Sequence, residues 1–420
     1  MSELIDSIGI KELCTLAVFV AAYSGLAVGH WFFLKLDRTG IALLGSIAML
    51  AFGCITLPQA VAAVNIESIL LLFALMVIAS QLHYAGLYGW LANRLLRPLI
   101  DRPAVFLAVL IALGGGLSAF LNNDVVVLAM APIVASALIG SRINPIPFLI
   151  ALALASNIGC ALTTIGNAQN VLIGEIGGLR FGSYMRFAVI PVMLSLAVCY
   201  AVVYRVGRGK FSAQPDAAAT IPAESDPPLN RWRAIKGTGV LAILIFAFVF
   251  TGVPHYLAAM TGAGLLLCSR MLPSRQVLSG VNWQLLVLFI GLFVIVGAFV
   301  DTGLADDMLK FLAGCGVDLN NPIELSLISG AFSNCINNSA AVMLLIRVID
   351  TTDPVCCYAL ALSNAFAGNL IVMGSLANII VAQCAEDFKL HISFGEFFRY
   401  GAPTAVVSMI ILTGWLAIMT

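Results

Sequence analysis

Stretches of about 20 consecutive apolar residues recur along the whole 420-residue chain. One of them, LCTLAVFVAAYSGLAVGHWFFL over 13–34, would reach about 33 Å as a helix at ~1.5 Å per residue. The hydrocarbon layer of a bilayer is ~30 Å thick, so each such run can cross it. Composition points the same way: 61% of residues are hydrophobic and only 10% are charged. Soluble domains sit near ~45–50% and ~25%. The sequence therefore predicts an all-α polytopic membrane protein. The acidic start, MSELIDSIGIKEL, has no basic region and no small-residue cleavage site. That makes 13–34 a retained span rather than a signal peptide.

Several function classes drop out at once. Formal net charge is zero, which argues against a nucleic-acid partner. No zinc knuckle, P-loop or dinucleotide fingerprint is present, so no cofactor is expected. The ten cysteines lie mostly in apolar stretches without a CxxC pair and read as reduced, buried thiols. His30, His83, His255 and His391 all fall near span ends, and no acid–base cluster accompanies them. A membrane-embedded hydrolase is not expected, nor any other enzyme.

One long polar interruption, RVGRGKFSAQPDAAATIPAESDPPLNRWR, divides the chain nearly in half and reads as a flexible linker. Segments on its two sides match in order, about 210 residues apart. LPQA at 57–60 answers LPSR at 272–275, and NIESILLLFALMVIASQLHYAGL at 65–87 answers NWQLLVLFIGLFVIVGAFVDTGL at 282–304. Asn122–Asn123 answers Asn337–Asn338, SNIGCALTTIGNAQN answers SNAFAGNLIVMGSLAN, and FGSYMRFAVIP answers FGEFFRYGAP. Duplication is the simplest source of five matches in one order. The expected division is 1–204, a linker at 205–233, and 234–420.

Basic residues in short loops mark the cytoplasmic side. Arg205, Arg208, Lys210, Arg231, Arg233 and Lys236 assign the linker there, with Lys35, Arg38, Arg94, Arg97 and Arg102. Asp301, Asp306 and Asp307 occupy the second-half place of that last arginine cluster. Equivalent loops then lie on opposite faces, the pattern of inverted-topology repeats in secondary transporters. About ten transmembrane helices, two re-entrant hairpins and unwound helices at the midplane are expected, with both termini outside.

Polar groups interrupt the apolar runs at matched places. LSAFLNNDVVVLAMAPIV follows Gly114–Gly116 and carries Asn122, Asn123 and Asp124. A central aspartate in lipid costs ~2.5–3.5 kcal/mol, so a buried hairpin tip wetted by a cavity is expected instead. Its counterpart offers Asn337, Asn338 and Ser339. The second break, TTIGNAQNVLIG, holds Thr163, Thr164, Gly166, Asn167, Gln169 and Asn170, and its counterpart holds Gly374, Ser375 and Asn378. Glycine and short polar side chains favour unwinding there. Two readings stay open for Asp124, a cap on its half-helix or a group that couples transport. Asn157 and Asn364, further up the same helices, suit interhelical bonding and ligation equally.

At FLNNDVVVLAMAPIV, SNIGCALTTIGNAQNVLIG and MGSLANIIV the chain resembles the ion transporter superfamily of arsenite permeases, citrate- and dicarboxylate-type carriers and NhaD-type antiporters. The resemblance covers nearly the whole chain. It implies inverted repeats and sites at hairpin tips and unwound helices, and it makes a homodimer plausible. Dicarboxylate carriers of this superfamily typically show Ser-Asn-Thr at both tips. Asn-Asn-Asp here looks more like the arsenite-permease and antiporter branches. The resemblance assigns solute or ion binding to Asn122, Asn123, Asp124, Gly166, Asn167, Asn170, Asn337, Asn338, Ser339, Gly374, Ser375 and Asn378, and the polar break itself adds Thr164 to this set.

These motifs contain no Lys or Arg, so a multivalent anion beside ionised Asp124 would be repelled. The expectation is a secondary antiporter that exports a small inorganic solute, an arsenite-like metalloid or oxyanion, against protons bound at Asp124. The alternatives are a sodium-coupled di- or tricarboxylate carrier and a sodium/proton antiporter, with sodium held at the asparagine-rich tips.

Overall fold

The computed structural model describes residues 10–28, 36–209, 211, 228–268, 272–305, 307, 310, 314, 316–336 and 338–419. Asn337 lies outside the described residues. So do His30, Lys35, Lys210, Arg270, Asp306 and most of the linker. All regular structure among the described residues is helical. Among the described residues, seven helices are long and apolar enough to cross a membrane, and four shorter ones are apolar too.

The first half runs α1 (Ile10–Val28), α2 (Arg38–Ala51), α3 (Leu57–Ala63), α4 (Ile66–Tyr84), α5 (Leu87–Leu95), α6 (Pro103–Phe120), α7 (Asn123–Gly140), α8 (Ile146–Cys160), α9 (Ala168–Ile176) and α10 (Phe181–Gly207). The second half runs α11 (Arg231–Phe250), α12 (His255–Leu267), α13 (Ser274–Ser279), α14 (Trp283–Asp301), α15 (Pro322–Cys335), α16 (Asn338–Leu345), α17 (Pro354–Ala367), α18 (Leu376–Asp387) and α19 (Phe394–Met419). Each of α1 to α4 and α6 to α10 has a second-half helix in the corresponding place.

Local chemistry explains why the matched helices start where they do. Asn65 caps α4 by accepting from the Ser68 N–H at 2.8 Å, and Asn282 caps α14 by accepting from Leu285 at 3.0 Å. Each satisfies one of the N–H groups that a helix start leaves unpaired. Proline opens α6, α15 and α17 at the first helical position, where its missing N–H costs nothing.

Two bodies emerge from the packing, and neither coincides with a half. In the first, α2 packs on α14 and α12 packs on α4, so each half lends a helix to the other. The first body also takes α1, α3, α11 and α13. In the second, α6 packs on α8 and α15 on α17, while α10 packs on α19. There α7 meets α18 and α9 meets α16, again a reciprocal exchange. Such pairing is self-complementary, as a two-fold relation between similar units produces.

Burial ranks the layers. About two-thirds of the apolar windows of α4 and α14 are buried, against 28–33% for α10, α11 and α19. Every residue of α8 from Pro147 to Cys160 is buried. The outer helices expose Phe246, Phe250, Ile410 and Ile418, a surface suited to lipid tails rather than water. Where α6 crosses α8, a Cβ on Gly159 would collide with the backbone of Gly115. Small residues let the two helices approach this closely.

Candidate functional site

Helix α6 ends at Phe120 and α7 begins at Asn123, leaving a tight tip at Leu121–Asn122. Asn122 caps α7: its Oδ1 accepts from the Asp124 N–H at 3.0 Å. The cap position is therefore filled by the neighbour, and the Asp124 carboxylate is left for other work. Both asparagines of the tip are buried. The Asn123 N–H donates to Gly166 O at 3.1 Å, tying the tip to the break between α8 and α9. Thr163 Oγ1 donates to Ala119 O in the same region.

The two breaks share one device. Asn170 Nδ2 donates to Cys160 O at 3.3 Å and Thr163 O at 3.0 Å, ten and seven residues upstream. Asn378 Nδ2 donates to Gly368 O at 2.9 Å and Ile371 O at 3.1 Å, again ten and seven residues upstream. Unwinding strips carbonyls of their helical partners, and a buried unpaired carbonyl costs about 1–3 kcal/mol. These two amides replace the lost bonds. Gly166 and Gly374 fit the same tight bends; a Cβ at Gly166 would collide with the Cys160 backbone.

Tips and breaks close around a cavity of about 30 Å³, room for one or two waters. Of the expected residues, Asn123, Asp124, Asn167, Asn338, Ser339, Gly374 and Ser375 line it. Asn122, Thr164, Gly166, Asn170 and Asn378 do not. They stand behind the wall as cap, packing or support. Asp124 is the one carboxylate among the lining residues.

Three residues outside the assigned binding set also line the cavity. Asn157 is a hub whose Nδ2 donates to Asn369 at 3.0 Å and Asn378 at 2.9 Å. Its Oδ1 accepts from Asn123 at 3.2 Å and Ser375 at 2.8 Å. Both donors and both acceptor directions are thereby used within the protein, so interhelical bonding describes it. Gln169 Nε2 donates to Ser339 Oγ at 2.8 Å, a direct link between halves at the wall. Most consequential is Arg38, half-buried at the start of α2, which also lines the cavity. The motifs lack a cation, but the fold brings one from the other body. Only its place at a span start signalled it in the sequence.

The second tip differs from the first. Asn364 Nδ2 donates to Asn338 O at 3.2 Å. The side-chain oxygens of Asn334 and Asn338 are buried with no hydrogen-bond partner. A Cβ on Gly374 would touch Asn334 Oδ1 at 3.0 Å, and one on Gly368 would touch Asn338 Nδ2 at 2.9 Å.

Comparison with known proteins fits this architecture. The profile of the citrate transporter family matches residues 29–358. An uncharacterized transporter of Mycobacterium tuberculosis (strain CDC 1551 / Oshkosh) is 30% identical over 430 residues, spanning 95% of this chain and 97% of the relative. The silicon efflux transporter LSI3 of Oryza sativa subsp. japonica is 26% identical, covering 89% and 91% of the two chains. Among solved structures, the YdaH transporter of Alcanivorax borkumensis superposes with a TM-score of 0.59 at 15% identity, over 98% of each chain, and so shares the fold. The chain is a multi-pass membrane transporter rather than an enzyme, and it belongs to the citrate transporter family.

Proposed function

We propose that the protein is a proton-coupled secondary transporter that exports a small inorganic solute of the arsenite or silicic-acid class. The observation that carries this reading is the cavity itself: about 30 Å³, walled by amides and hydroxyls, with Asp124 at a helix start. Drug-sized ligands occupy ~300–1,000 Å³, whereas a neutral metalloid hydroxide needs little more than a few waters' space. Amides and hydroxyls both donate and accept, which suits a hydroxide's several O–H groups. The efflux named for the rice relative supports the same class. In this reading the halves are inverted repeats, with the linker cytoplasmic and both termini outside.

Coupling requires that solute binding differ between the protonated and ionised states of Asp124, because only state-dependent binding shifts an equilibrium. In proteoliposomes, an outward solute gradient should move protons in the opposite direction. Asp124→Asn should abolish that proton movement while labelled-solute counterflow persists. Solute-driven proton flux that is unchanged in Asp124→Asn overturns the assignment.

A second reading, sodium-coupled uptake of a citrate-like anion, is favoured by two specific observations. Arg38 offers a cation at the cavity, and the unpartnered oxygens of Asn334 and Asn338 suit a hard cation. Strict dependence of labelled-citrate uptake on sodium selects this reading over the first.

A further inference from the structure

A second polar cavity lies apart from the inner one, and we propose that it is an oxyanion-binding site independent of the transported solute's identity. It is open, about 620 Å³ in volume, and lined by Glu175, Arg180, Arg186, Phe248 and His255 among others. Arg180 and Arg186 flank the start of α10, whose far end leads into the linker, so the cavity faces away from the linker.

Four features favour an anion there. Arg180 and Arg186 are both exposed and both border the cavity. A guanidinium presents a planar fork of donors that matches an oxyanion's paired oxygens. The starts of α10 and α12 converge on the same space. Arg180 and Pro254 hold the two N-cap positions and provide no side-chain cap. First-turn N–H groups and the positive dipole ends of both helices are thus left toward the cavity. The one lining acid is already engaged, since Glu175 Oε1 sits 3.0 Å from His255 Nδ1. One carboxylate against two guanidinium groups leaves the cavity positively charged.

The site is a neighbour of the inner cavity. Gln169 lines the inner cavity and Glu175 the outer one, six residues apart on α9, or about 9 Å along a helix. Sulfate, phosphate and the phosphate of an anionic lipid share the chemistry this site recognises.

The test uses the full-length protein in nanodiscs of phosphatidylcholine, at low ionic strength, with radiolabelled sulfate in equilibrium dialysis. Low salt matters because exposed charges are screened over ~10 Å at 0.1 M. Saturable sulfate retention is expected, weakened at least about tenfold in Arg180→Gln/Arg186→Gln with wild-type unfolding temperature. Asp124→Asn should retain sulfate as the wild type does; loss that tracks Asp124 instead places the anion at the inner cavity and overturns the proposal. Nanodiscs containing phosphatidylglycerol separate the two sources. Unchanged retention there indicates a free ion. Displaced sulfate, with phosphatidylglycerol that co-purifies with the wild type and not with the double variant, indicates a headgroup. Equal sulfate retention by wild type and double variant, or no retention together with no arginine-dependent lipid, overturns the proposal. Should the double variant fail to fold, Glu175→Gln replaces it: tighter sulfate binding supports the site, and unchanged binding overturns it.

Discussion

At the scale of single residues, Asn157 shows how a buried amide at the cavity wall also holds the fold together. It joins Asn123, Asn369, Ser375 and Asn378, so its removal leaves several buried groups unpaired. At about 1–3 kcal/mol for each unsatisfied group, Asn157→Ala should cost about 3 kcal/mol or more. A clear drop in thermal unfolding temperature in detergent checks this. Asp124→Asn should leave that temperature nearly unchanged, because Asn122 already supplies the cap. The sequence made the polar residues visible, since each is expensive among apolar neighbours. It could not divide them into wall and support. Asn167 and Asn170 lie three positions apart, yet Asn167 lines the cavity and Asn170 holds the break. That difference depends on which carbonyls the unwound chain turns toward each side chain. Arg38 was legible as a loop marker alone, because the contact that brings it to the cavity joins distant helices.

At the scale of elements, the breaks at 121–122 and 161–167 overlap the polar stretches that predicted them, while Gly114–Gly116 stay inside α6 and Gln169 and Asn170 inside α9. Helix lengths were less legible. Helices α2, α8, α12 and α17 have only 13–15 residues, or about 20–22 Å at ~1.5 Å each. Apolar runs do not reveal such shortness, because the residues beyond a break are apolar as well. Gly159 gives a direct test of close helix crossing. Gly159→Val would drive a branched side chain into the Gly115 backbone, and with backbone on the far side nothing can yield. A cost above about 3 kcal/mol is expected, seen as loss of monodisperse protein in size-exclusion chromatography. Gly116→Ala is the control, since a Cβ there meets nothing within 4 Å.

At the scale of the molecule, the matched order of the halves was readable, and their interleaving was not. Sequence order suggests two consecutive units, whereas contacts assemble two bodies that each draw on both halves. The Glu175–His255 pair bridges these bodies, joining α9 of one to α12 of the other. If transport needs the bodies to move relative to each other, fixing this contact stops it. Glu175→Cys/His255→Cys, with the exposed Cys268 and Cys335 replaced by serine, should lose solute counterflow when bridged by a short bifunctional thiol reagent. Each single-cysteine variant should keep it under the same treatment. Continued counterflow in the bridged protein would show that transport does not require this contact to open.

The ownership of the inner cavity has a further consequence. Its amides, hydroxyls and carboxylate all belong to one body, while Arg38 and Leu285 come from the other. If the bodies move relative to each other, a passenger seated on the second body would ride with its whole solvation cage intact and pass the cationic post of the first body at one end of the journey. Departure would then be judged by charge at that end alone, so inward and outward trips of the same passenger need not encounter equal barriers.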